Sequence, residues 1–190
     1  MRHFTEDRRK LQELILYISQ QCASDENYGS TILNKILFFA DFLAYAKFGQ
    51  PITGTEYIRE EHGPVPRPIR DGYNNPVNEL IRAGDMRRVE KPLPRNMKLI
   101  IPVALRDPDL SVFSEQEIAL AKSVIDSFRG WRAGRLSKYT HEFVAWQCVA
   151  LNETIPYETI FISPDQQLSK REIEFGQEIA RRRGWLRERS

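Results

Sequence analysis

Between residues 6 and 21, Leu11, Leu14, Ile15 and Ile18 follow the i, i+3, i+4, i+7 spacing that lines one face of an α-helix, with charges elsewhere. An amphipathic first helix is expected. Over residues 30–48 the pattern changes. At about 100° per residue, Ile32, Leu33, Ile36, Leu37, Phe38, Phe39, Phe42, Leu43 and Tyr45 surround nearly the whole cylinder. Such a helix is packed on most sides and becomes the centre of the core. Ser30 or Thr31 can cap its start, and Gly49 is a natural stop.

Residues 50–69 carry four prolines and two glycines, so no helix runs through them. They form a structured connection, with a short strand at residues 55–59. Residues 67–83 predict two short helical pieces, the second starting on Pro76 and stopping at Gly84. Residues 86–104 predict a β-hairpin around the turn "KPLPRN". Ser114 and Glu117 form a capping box with Phe113 and Ile118 at the staple positions, and Ile118, Ala121, Val124, Ile125 and Phe128 mark the buried face that follows. Residues 136–151 are compatible with one more helix, then an extended segment runs to Pro164. Residues 165–190 read as a polar helix with a thin stripe of Ile173, Gly176 and Ala180 and a basic end. The fold class expected is α+β, mainly α: a compact helical domain over residues 1–163 with a small antiparallel β-hairpin or sheet, then a basic C-terminal helical extension, 164–190.

Composition narrows the function classes. A hydrophobic fraction of 41% with 11% aromatics folds rather than staying disordered. A net charge of +2 gives no general attraction to nucleic acid or an anionic membrane, so any basic patch must be local. Cys22 and Cys148 form no C-x-x-C and read as small buried hydrophobes in a reduced compartment. With no apolar leader at the N-terminus and no long apolar run, a cytoplasmic location and no membrane partner are expected.

The usual catalytic motifs are missing. The histidines are His3, His62 and His141, and "HEFVA" lacks the second histidine of a zinc helix. There is no phosphate-cradling glycine motif and no nucleophile elbow. The expectation is no enzyme, no cofactor and no metal.

Asp41 stands out, because Asn34, Phe38, Asp41 and Tyr45 fall on one stripe of an otherwise apolar helix. A carboxylate at that depth needs hydrogen-bond donors. Candidates are the backbone amides of the proline-rich connection, Tyr57, His62 and Lys35. Lys35, about 100° round from Asn34, is expected at the rim, paired with an acid or facing a partner. In "HGPVP" Gly63 and Pro64 fix a rigid turn, and His141 with Trp146 reads as a packed, hydrogen-bonded corner. Arg181, Arg182, Arg183 and Arg187 read as a solvated helix end that can also meet an acidic partner or phosphates.

The stretch "ILNKILFFADFLAYAKFGQPITGTEYIREEHGPVP", residues 32–66, and the later "LSKYTHEFVAWQCVALNETIPYE", residues 136–158, resemble the two motif blocks of the Panacea domain, the SocA-like antitoxin family. Thr140 stands where Ser is common before the histidine. The resemblance carries over to Asn34, Lys35, Asp41, Gly54, Tyr57, Gly63, Pro64, His141 and Trp146 as family-motif positions, structural or partner-facing. It implies an antitoxin that neutralises a co-encoded bacterial or phage protein toxin by direct protein–protein binding, and leaves the toxin's identity open. The alternatives are a winged-helix-like DNA-binding regulator, suggested by the helix and hairpin order, and an adaptor that presents a partner to other machinery. Nucleic-acid binding is allowed but not favoured, and homo-oligomerisation is left open.

Overall fold

The structure, a computed structural model, describes residues 4–72 and 74–162. The helix expected for residues 165–190, with Arg181, Arg182, Arg183 and Arg187, lies outside the described residues, as does His3. Within them the helices are α1 (Arg8–Gln21), α2 (Ser30–Phe48), α3 (Arg67–Asp71), α4 (Pro76–Ala83), α5 (Glu115–Phe128), α6 (Ala133–His141) and α7 (Val144–Gln147). The strands are β1 (Tyr57–Glu60), β2 (Gly63–Pro66), β3 (Met86–Pro92) and β4 (Lys98–Ala104), paired as two antiparallel two-stranded sheets. The class is α+β, mainly α, as expected.

Helix α2 is the central element, in contact with α1, α5, α6, β2, β4 and a 3-10 turn at Tyr157–Phe161. Its encirclement by apolar residues dictates this position: Phe38, Phe42, Leu37 and Ala40 are fully buried, and of the nine expected apolar side chains only Leu43 reaches the surface. Gly49 ends the helix with φ 77°, its amide bonded to the Tyr45 carbonyl. The start differs from expectation. The cap residue is Gly29, which supplies no side-chain cap, while the Ser30 hydroxyl turns to donate to the Ile100 carbonyl of β4 at 3.1 Å.

On α1 the expected apolar face is buried, but so is Glu13, at 6% exposure. Its carboxylate accepts from both terminal nitrogens of the Arg106 guanidinium, at 2.7 and 2.9 Å, and from the Asp109 amide at 2.8 Å. The guanidinium holds this carboxyl below the usual range. The chain leaving β4 is thereby fastened to α1.

The strand expected at 55–59 is present as β1, but its partner β2 is hidden in the sequence by Pro64 and Pro66. The register explains how two prolines fit. They oppose Arg59 and Tyr57, whose backbone groups bond the other way: Arg59 N–H to the Glu153 carbonyl, and the Ile155 amide to the Tyr57 carbonyl, at 2.9 and 2.8 Å. Prolines two residues apart place both missing donors on the side of β2 where no ladder bond is required. The 152–155 segment thus flanks β1 opposite β2, with a bridge from Ile58 to Thr154.

The two short helices over 67–83 and the β3–β4 hairpin are as expected, Asn75 capping α4 through bonds from the Val77 and Asn78 amides. Ser114 and Glu117 form the anticipated capping box on α5. The single helix expected over 136–151 is instead two. Phe143 takes an extended conformation, φ −78° and ψ 123°, and drives its ring edge-on against Phe38 and Phe39. Core packing overrides helix continuity there. The segment expected to stay extended to 164 closes into the 3-10 turn at Tyr157–Phe161. Cys22 is buried, but Cys148, in the turn after α7, is exposed, because the helix break rotates it away from the core.

Candidate interaction surface

Asp41 is fully buried on α2 and carries three short hydrogen bonds. The Thr53 amide donates at 2.7 Å, the Thr53 hydroxyl at 2.5 Å and the Tyr57 hydroxyl at 2.7 Å. Burial pushes the carboxyl up to about 6, against the downward pull of these donors. Of the expected donors, the connection's amides and Tyr57 are correct, whereas Lys35 and His62 point elsewhere. Thr53 was not foreseen. Its signal is the hydroxyl beside Gly54, whose φ of 69° and close approach to the Thr5 carbonyl, 2.7 Å from where a β-carbon would stand, fold residues 52–55 back over α2.

Two neighbouring positions exchange their expected roles. Asn34 is only half-buried and does not belong to a polar core stripe with Asp41. Lys35 is 2% exposed rather than at a rim. The reason is β2, which crosses α2 on the Lys35 side: Gly63 packs on the lysine stem, and Lys35 Nζ meets the Pro64 carbonyl at 3.4 Å. Burial lowers this amine to about 7.

The second motif block arrives at the same place. The Ser137 hydroxyl donates to the His62 carbonyl at 3.0 Å, and Thr140, fully buried, lies against Gly63. His141 bonds the Glu61 backbone, and the Trp146 indole N–H donates to the Glu60 carbonyl at 3.3 Å. His141 and Trp146 stack with ring centroids 4.1 Å apart, while the Arg59 guanidinium lies 3.9 Å from the Trp146 centroid. Arg59 also donates to the Val149 carbonyl. Burial lowers the His141 pKa, and the neighbouring charges of Lys35 and Arg59 act the same way.

The bonds from Ser137, His141 and Trp146, with Thr140 against Gly63, hold the two-residue β1–β2 turn, Glu61 and His62, both exposed, and the strand residues that flank it. Lys35, Gly63, Pro64, Thr140, His141 and Trp146 are therefore brought together, with Arg59 and Ser137 as members that the sequence did not flag. Asp41, Gly54 and Tyr57 sit one layer deeper, fastening the connection that leads into β1. The arrangement is a rigid exposed turn on a buried polar scaffold, the form that binding elements commonly take. Among the described residues no group of histidine, cysteine and carboxylate side chains is placed to hold a metal ion, and no helix is long and apolar enough to cross a membrane.

The family model for "Antitoxin SocA-like, Panacea domain" matches residues 33–147, more than half of the chain, from α2 through α7. No curated protein and no solved structure matches the chain.

Proposed function

Because the chain belongs to the SocA-like antitoxin family, with its Panacea domain, we propose that it neutralises a co-encoded bacterial or phage protein toxin by binding it directly, through the surface around the β1–β2 turn. The observation that carries this reading is convergence: two motif blocks far apart in sequence meet as Gly63 against Lys35 and Thr140, and as Trp146 against the Glu60 carbonyl. A large buried apparatus holding one short exposed turn is what a preformed protein interface needs, since an ordered loop loses little entropy on binding. The domain acts over residues 1–163, in the cytoplasm, as a binding protein rather than an enzyme.

Coexpression with the protein encoded beside it tests the proposal. The expected result is restored growth and copurification of the two chains. Unrelieved toxicity with no copurification would overturn it. A duplex-binding regulator would instead bind specific DNA, weakening steeply with salt.

A further inference from the structure

Beside the β1–β2 turn lies a cleft of about 600 Å³ whose wall includes Lys35. A charged lysine carries three N–H donors, yet the bond to the Pro64 carbonyl, at 3.4 Å, is a long one. No carboxylate among the described residues lies within ion-pair distance of Lys35. Glu60, the acid whose charge reaches it, is held at 2.8 Å by Arg70. The other charged or titratable groups facing this region are Glu61 and His62 on the turn, Arg59 on β1 and His141 on α6.

The remaining wall is rich in donors. Thr31 sits one helical turn before Lys35 on the same side of α2 and Asn34 adjoins it, while Arg70 and Asn152 close the opposite side, Arg70 already bonded to Glu60, Asp71 and Asn152. A buried ammonium without an anion is costly. An entering carboxylate would supply the missing charge and accept from Lys35 Nζ and from the Thr31 and Asn34 side chains beside it.

We propose that this cleft receives the carboxylate of an aspartate or glutamate side chain of the partner protein, which pairs with Lys35 Nζ. The inference rests on the toxin-binding reading for the partner's identity, while the carboxylate site itself is testable without the toxin. Lys35 Cε and Nζ and the Thr140 hydroxyl occupy the space where a β-carbon of residue 63 would stand, and this packing leaves the amine little freedom to swing out.

Acetate serves as the first probe, titrated into the full chain labelled with 15N-lysine while the Lys35 Nζ signal is followed. A saturable shift with an upward move of the Lys35 titration midpoint is expected, and inorganic phosphate at equal concentration should give a smaller one. Absence of a saturable acetate response, or a stronger phosphate response, overturns the carboxylate site. The second arm compares wild type with Lys35→Met, which keeps the buried stem, for affinity toward the protein encoded beside the chain. At least tenfold weaker binding with an undiminished melting temperature is expected, and equal binding overturns the inference alone. If wild type itself fails to bind, the toxin reading falls while the acetate arm still judges the cleft.

Discussion

Gly63 lies so close to Lys35 that a β-carbon at position 63 would stand 2.7 Å from the lysine Cε and 3.0 Å from its Nζ. It would also stand 2.6 Å from the Thr140 hydroxyl, and the backbone φ of 101° disfavours any side chain there. Three parts of the chain, α2, the β1–β2 turn and α6, thus meet at a point with no spare volume.

Gly63→Ala should therefore cost about 2–4 kcal/mol, combining backbone strain with overpacking. Gly72→Ala is the control, since φ there is also positive, 74°, but the surroundings are open; it should cost about 1 kcal/mol. Urea denaturation of the two variants gives the comparison, and equal losses would show that the close approach at Gly63 is not a constraint.

Asp41→Ala removes the acceptor of three buried bonds and strands the Thr53 amide, the Thr53 hydroxyl and the Tyr57 hydroxyl. A loss of about 3–5 kcal/mol follows from desolvated donors left unpaired. An unchanged melting temperature together with lost partner binding would make Asp41 an interface residue instead.

Stability should depend on pH in two windows of opposite sign. The folded Asp41 carboxyl is raised from 3.8 to about 6, so its contribution is complete below the lower value and is lost as pH rises through the upper one. The Lys35 amine is lowered from 10.5 to about 7, so stability is regained as pH climbs from the lower value toward the higher. Denaturation against pH should show wild type least favoured, relative to variants, between about pH 6 and 7. Asp41→Asn should remove the falling limb and Lys35→Met the rising one. A Lys35→Met profile parallel to wild type above pH 7 would mean that the amine is not desolvated.

Much of this site was legible in the sequence, and the failures have physical causes. The surrounded apolar pattern of residues 30–48 identified the central helix because complete burial leaves no polar face to disguise. The need of Asp41 for donors pointed to the connection and to Tyr57, but sequence spacing carries no information on how that connection folds back, so Thr53 went unseen. Asn34 and Lys35 lie at depths opposite to those expected because the sequence hides β2: two prolines argue against a strand unless both face away from the ladder, which only the Arg59 and Tyr57 pairing reveals. The break at Phe143 was invisible because the pull of Phe38 and Phe39 on its ring is a tertiary effect that no local propensity encodes.

Trp146→Phe keeps an aromatic surface between His141 and Arg59 but loses the N–H bond to the Glu60 carbonyl. It should cost about 1 kcal/mol. Trp146→Ala removes the stack as well and should cost about 3 kcal/mol. Thermal unfolding ranks the two, and equal effects would reduce the stack to a bystander.

Hydrogen exchange of the copurified complex, compared with the free chain, tests the central claim most directly. Binding through the β1–β2 turn predicts added protection at residues 60–63 and in the neighbouring stretch around His141 and Trp146, with little change in the β3–β4 hairpin. Protection confined to the hairpin, with the turn exchanging as in the free chain, would contradict it.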